Sequence, residues 1–252
     1  MQTLKLIYFN IVFYTLFLSF SMLSIPILSL FVAFLSLFLS HRNTMKRLRI
    51  TIGWWALGII KIILLLVARI QYKNRAKINI LGPYIFVCNH RSFSDGFLIA
   101  LPCMPQECIQ IVNTWPFKIP IIGLIAKLAG YLSINEMPFD EFSRRACELL
   151  RQGVSIVTFP EGTRCVNNKI GQFHSSIFRI ALQSRYPIVP VCISGNENTP
   201  ARGSLLLHPG IIKVHKLPAL QWEQYKDLGP FKLKNKVRDI ITKELEAMEG
   251  GA

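Results

Sequence analysis

From Leu6 to Ser40 the chain carries no charged residue, and no other feature limits its fold as tightly. About 20 apolar residues cross the hydrocarbon of a bilayer once, so this stretch exceeds one crossing and falls slightly short of two. Pro26 divides it. Either one tilted span runs on into an interfacial stretch, or two short helices form a hairpin that breaks at Ser24-Ile25-Pro26. A cleaved signal peptide is a poor fit, because the apolar run is far too long and only Lys5 precedes it. A basic patch, His41 to Arg49, leads to a second apolar run, Thr51 to Ala68, which Trp54-Trp55 open and Lys61 interrupts. Basic clusters stand on both sides of this run, and the positive-inside rule places both on the cytoplasmic face. One crossing cannot satisfy both. The second run is therefore expected to lie in the interface, or to dip in and return, with its tryptophans at headgroup level and Lys61 snorkelling.

Charge is distributed as unevenly as hydrophobicity. The formal net charge is +15, and the first acidic residue of the whole chain is Asp95. The basic excess flanks long apolar runs, and no aromatic-plus-basic RNA motif accompanies it, which argues against nucleic acid as a partner and for anionic lipid headgroups. Six cysteines are scattered singly. Cys103 and Cys108 come nearest to a pair, but their spacing fits neither a zinc site nor a redox motif. Free thiols in a reducing cytosol are the expectation.

After Lys77 the pattern changes to short apolar runs alternating with helical periodicity, which signals an α/β domain. Strands are predicted at 84–88, 108–112, 155–159, 188–193 and 210–216, and helices at 92–101, 121–129, 138–152, 175–186 and 230–248. The expected architecture is a mixed sheet flanked by helices, with residues 1–77 as an N-terminal hydrophobic membrane-anchoring helical region and 78–252 as the catalytic domain.

Two places in that domain carry chemistry. The run Tyr84 to Cys88 reads as a buried strand, and Ser92 or Ser94 can cap the helix that follows, so His90 sits at a strand-to-helix junction. Asp95, five residues on, can fold back to fix the imidazole tautomer and stabilise the imidazolium formed on proton abstraction. That is a general base with an orienting acid. The second place is Phe159-Pro160-Glu161-Gly162-Thr163-Arg164, directly after a strand. Pro160 stiffens the exit, Gly162 permits a tight turn, and Glu161 and Arg164 project beyond the carboxyl edge where open α/β sheets place their ligands. An arginine there suits an anionic group such as phosphate.

These residues resemble the glycerolipid acyltransferases typified by 1-acylglycerol-3-phosphate acyltransferase. The resemblance rests on Asn89-His90-Arg91-Ser92 to Asp95, which contains the H-x4-D motif, and on Phe159 to Arg164, an F-P-E-G-T-R motif. Phe117-Lys118-Ile119-Pro120 with Gly123, Ala129-Gly130 with Ile134-Asn135, and Pro187 to Val191 extend it in the family's order, over roughly Ile78 to Gly195. It implies that His90 takes the proton from a glycerol hydroxyl, which attacks the thioester of an acyl-CoA or acyl carrier protein, while Asp95 supports His90. Arg91, Glu161, Gly162, Thr163 and Arg164 are the expected substrate-binding residues, with Arg164 on a phosphate. Neither metal nor cofactor is implied; the thioester is a co-substrate. An acyl-enzyme is not required, so no Ser or Cys nucleophile is expected.

The chain departs from the family on the acceptor side. Asn135-Glu136 stands where an Asp-Arg or Asn-Arg pair is common, Asn113 and Thr114 occupy positions that often carry lysines, and Phe173-His174-Ser175-Ser176 replaces F-K-x-G. The first acceptor expected is lysophosphatidic acid, and the second another lysolipid, such as a lysophospholipid or a lyso-ornithine lipid. A hydrolase is the main rival. Against it, the chain lacks a G-x-S-x-G elbow, and Ser92 stands too close to His90 for a triad. Catalysis is expected at the cytoplasmic face of a membrane.

Overall fold

The computed structural model describes residues 2–66, 68–76, 82–118, 122–164, 169–201 and 203–250. The boundary drawn at 77/78, Ile119-Pro120 of the third matching segment, the first residue of the predicted helix 121–129 and Cys165 lie outside the described residues. Two long helices come first, α1 (Gln2–Ser36) and α2 (His41–Leu66), packed against each other. They are followed by β1 (Ala68–Asn74), β2 (Ile85–Cys88), α3 (Asp95–Leu98), α4 (Ala100–Cys103), β3 (Cys108–Gln110), α5 (Ile122–Leu128), α6 (Phe139–Arg151), β4 (Ser155–Thr158), α7 (Ser176–Ser184), β5 (Ile188–Ser194), β6 (Gly210–Lys216) and α8 (Pro230–Glu249).

The strands form one six-stranded sheet in the order β1-β6-β5-β2-β4-β3, parallel throughout except between β5 and β6. β2 lies between β4 and β5, so the carboxyl ends of these three parallel strands share one edge. Every residue of β2, β4 and β5 is buried, as expected of parallel strands covered on both faces. Alternation along the strand sends Ile85 and Val87 into a core beneath α6, α7 and α8, and Phe86 and Cys88 into a second core beneath α1 to α4. α8 closes the first of these with a stripe of buried residues, Leu233, Val237, Ile241, Leu245 and Met248.

Of the two arrangements expected of the first apolar run, the hairpin of two short helices is the one the structure rules out. α1 is one continuous helix through Pro26, with no break at Ser24-Ile25-Pro26. The Ser24 hydroxyl donates to the Phe20 carbonyl at 2.5 Å and accepts the Trp55 indole N–H at 3.0 Å, which ties the helix to α2 where proline removes a donor. At about 1.5 Å per residue α1 is roughly 50 Å long, well beyond one bilayer core. It is the one helix among the described residues that is long and apolar enough to cross a membrane, and Leu4, Met22, Leu30 and Phe34 are among the large side chains it exposes. The second apolar run belongs to a regular helix, α2, packed on α1, α3, α4, β1 and β3, with Ile59 and Ile60 buried. β1 was not foreseen; it places residues 68–74, inside the segment read as anchor, on the edge of the sheet.

Candidate active site

The site grows from the way β2 ends. The side-chain amide of Asn89, fully buried, donates to the Ile193 carbonyl and accepts the Ile193 N–H, both at 2.8 Å. It thus extends the β2–β5 pairing one residue past the strand and fixes the direction in which the chain leaves. His90 comes next. Its Nδ1 lies 2.8 Å from Asp95 Oδ2, which also accepts the backbone N–H groups of Arg91 at 2.7 Å and Ser92 at 2.8 Å. The other carboxylate oxygen, Oδ1, accepts Asn196 Nδ2 at 2.5 Å. Asp95 is wholly buried, and a buried carboxylate is tolerated only when its lone pairs are met by donors. Ser94 stands at the helix N-cap without a side-chain capping bond; the Asp95 carboxylate folds back on the preceding turn instead. With Nδ1–H donated to Asp95, Nε2 is the basic nitrogen, and the ring sits beside Phe159 at 4.7 Å between centroids.

The turn after β4 supports His90 from the other side. Glu161 accepts the His90 backbone N–H on Oε1 and the Gly171 N–H on Oε2, each at 2.8 Å. Burial pushes its carboxyl above the usual range, and these two bonds pull the other way. Gly162 adopts φ +70°, and a Cβ built there would lie 3.2 Å from Nε2 of His174, so the turn requires glycine for its conformation and is tight for its neighbour as well.

A cavity of about 1140 Å³ brings these elements together. His90, Gly162, Thr163, Arg164 and His174 line it, and so do apolar residues of α1 and α2, including Phe17, Ile25, Leu28, Ile52 and Trp55. Asn113 and Asn135, which also line it, are joined by a 3.1 Å hydrogen bond. Arg49, a further cation of the wall, is engaged with Glu107 at 2.6 Å. No group of three or more His, Cys, Asp or Glu among the described residues is placed to hold a metal ion.

Two of the five residues expected to bind substrate occupy other positions. Arg91 is buried, its guanidinium held by Glu197 at 2.6 Å and Glu249 at 2.5 Å, and it is not part of the cavity wall. Glu161 has both oxygens committed to backbone N–H groups, so it shapes the turn and does not face the cavity. Gly162, Thr163 and Arg164 do line it. In the sequence Asn89 belongs to the matching motif without an evident role, and Asn196, Glu197 and Glu249 are not marked out. Gly195-Asn196 after a strand carried a turn signal, but nothing local indicated that the asparagine would return to Asp95.

The sheet edge thus presents a carboxylate-supported imidazole and an arginine to a largely apolar cavity. The acyltransferase family model matches residues 69–194, and the chain belongs to that family. It is 32% identical over 136 residues to 1-acyl-sn-glycerol-3-phosphate acyltransferase BAT2, chloroplastic, of Brassica napus, covering 52% of this chain and 39% of that one. It is 29% identical over 175 residues to the human 1-acyl-sn-glycerol-3-phosphate acyltransferase alpha, covering 65% and 62%. The chain thus spans less than two thirds of these curated relatives. The fold matches the crystal structure of the 1-acyl-sn-glycerophosphate (LPA) acyltransferase PlsC from Thermotoga maritima with a TM-score of 0.78, at 20% identity over 99% of this chain and 98% of that one.

Proposed function

We propose that this protein is an O-acyltransferase that moves a fatty acyl group from acyl-CoA or acyl carrier protein to the free hydroxyl of a lysophospholipid, 1-acylglycerol-3-phosphate first among them, giving phosphatidic acid. The observation that carries this reading is the His90–Asp95 pair, 2.8 Å apart, on the wall of a largely apolar cavity that also contains Arg164. His90 Nε2 removes the acceptor's hydroxyl proton as the oxygen attacks the thioester carbonyl. The tetrahedral adduct then expels the thiolate, and the imidazolium returns the proton to it as the free thiol. Asp95 supports the charge on the ring while that proton is held. Arg164 takes the acceptor's phosphate, and the apolar wall from α1 and α2 takes an acyl chain. α1 and the basic residues around α2 hold the cavity against a membrane at its cytoplasmic face, where thioester donors are found, so the lysolipid enters from lipid and the donor from water.

A second acceptor reading has an observation of its own. Asn113 and Asn135 are neutral and paired with each other, and Arg49 is engaged with Glu107, which leaves this wall less positive than a phosphomonoester favours. A lysolipid with less headgroup charge, such as a lysophospholipid or lyso-ornithine lipid, suits it. The test is acylation by purified enzyme in detergent, with labelled acyl-CoA and a panel of lysolipids. Lysophosphatidic acid acylated best supports the first reading, a zwitterionic or amino-acid lysolipid acylated best supports the second, and transfer to no lysolipid overturns both.

A further inference from the structure

The loop after β5 interlocks with the catalytic turn. Gly195 starts it at φ +83°, where a Cβ would come within 2.0 Å of the Ile211 carbonyl, so only glycine lets the chain turn back there. Asn196, the next residue, is wholly buried and directs its Nδ2 to Asp95 Oδ1 at 2.5 Å and to Ser94 Oγ at 3.2 Å. Around this contact, the Ser92 hydroxyl lies within 2.8 Å of the Thr199 carbonyl and 3.1 Å of that of Pro200. The Arg91 guanidinium bridges Glu197 of the same loop to Glu249 at the end of α8. The loop is therefore anchored after the asparagine by these contacts and before it by the end of β5.

We propose that Asn196 is a positioning residue of the His90–Asp95 pair, and this rests on the reading of His90 as the base. Asp95 Oδ2 receives three N–H groups, whereas Oδ1 receives Asn196. The terminal torsion of an aspartate is soft, so the plane of the carboxylate, and with it the direction of the imidazole, depends on what holds Oδ1. The position calls for a donor with no charge. A hydrophobic residue would leave a buried carboxylate oxygen unmet, and an ionised Asp or Glu would set two anions together.

Three variants of the full chain, assayed in detergent with labelled acyl-CoA and lysophosphatidic acid, test this. Asn196→Ala should lower kcat about 10- to 100-fold, the worth of a buried hydrogen bond to a charged group, with the acceptor KM within about twofold of wild type. Asn196→Asp restores a donor only while the introduced carboxyl is protonated, so its activity relative to wild type should rise as pH falls. That carboxyl would meet Asp95 directly; the titratable and charged groups tied to Asp95 and its turn are His90, Arg91, Cys88 of β2, Glu161 of the β4 turn, Glu197 of the same loop and Glu249 of α8. A purely structural role would lower the melting temperature, scale activity with folded protein and leave the pH profile of Asn196→Asp parallel to wild type; that result overturns the proposal, as does wild-type kcat in Asn196→Ala. His90→Ala separates the two claims. If it is inactive while Asn196→Ala is unaffected, only the positioning role fails; if His90→Ala is fully active, the base assignment fails and the positioning role with it.

Discussion

At the scale of residues, the chemistry reduces to which atoms face the cavity. His90 offers Nε2 because Nδ1 is committed to Asp95, so His90→Ala should lower kcat by roughly 10²- to 10⁴-fold, the usual contribution of a positioned base. Asp95→Asn should be less severe but still large, because an amide nitrogen would confront some of the N–H donors now gathered on the carboxylate; steady-state rates at saturating donor check both. Arg164→Ala should raise the acceptor KM about tenfold or more, as loss of a charge-assisted bond does, and change kcat less. A pure kcat effect would remove Arg164 from the phosphate. The pair His90–Asp95 and the turn at Gly162 were legible because each is local, within one turn of chain. Arg91 and Glu161 were not. An arginine beside a catalytic histidine and a glutamate in a strand-end turn look like ligand groups in one dimension, and only long-range partners such as Glu249 and Gly171 reveal them as supports.

At the scale of elements, β2, β4 and β5 could be read because parallel, doubly covered strands are continuous apolar runs bounded by turns, and β6 because its buried Ile212, Val214 and Lys216 alternate with more exposed residues. β1 could not. It is an edge strand with Arg69, Gln71, Lys73 and Asn74 largely exposed, and such a segment has no apolar periodicity to distinguish it from the end of the preceding helix. The continuity of α1 was likewise hidden, since a mid-run proline argues for a break unless the helix is held elsewhere, here by Asn10 to Leu207 and Trp55 to Ser24. α8 reads as amphipathic, and the structure gives each side a use. Its apolar stripe covers β5, and Glu244 reaches Arg75 beyond β1 and His215 on β6. Burial raises the Glu244 carboxyl, but hydrogen bonds and charge from Arg75 and His215 outweigh it and leave it below its ordinary value. A lowered folded value means stability that is present above the unfolded pKa and lost as pH falls through the folded one. Glu244→Gln should therefore lower the melting temperature at neutral pH, and the difference from wild type should close as the solution is acidified below the usual glutamate range. A difference independent of pH would mean that packing, and not charge, joins α8 to the edge strands.

At the scale of the whole molecule, the cavity belongs to neither the helical hairpin nor the α/β domain alone. α1 and α2 supply one wall, and the sheet edge supplies the dyad. The helix long and apolar enough to cross a membrane is thereby also a wall of the cavity that holds the dyad. Gly96, in the first turn of α3, lines the cavity, and a Cβ there meets only Gln110 Oε1 at 3.9 Å. Gly96→Leu should thus be accommodated by the fold while occupying cavity space near His90, and should shift preference toward shorter acyl donors in a chain-length series; an unchanged series would place the acyl chain elsewhere. Whether His90 removes the proton of a lipid hydroxyl and not of water is decided by following labelled acyl groups from acyl-CoA into phospholipid and into free fatty acid, with and without lysophosphatidic acid, in wild type and His90→Ala. Label is expected in phosphatidic acid, with little free acid without acceptor and loss of the transfer product in the variant. Rapid release of free fatty acid without acceptor, or transfer that survives His90→Ala, would contradict this role of His90.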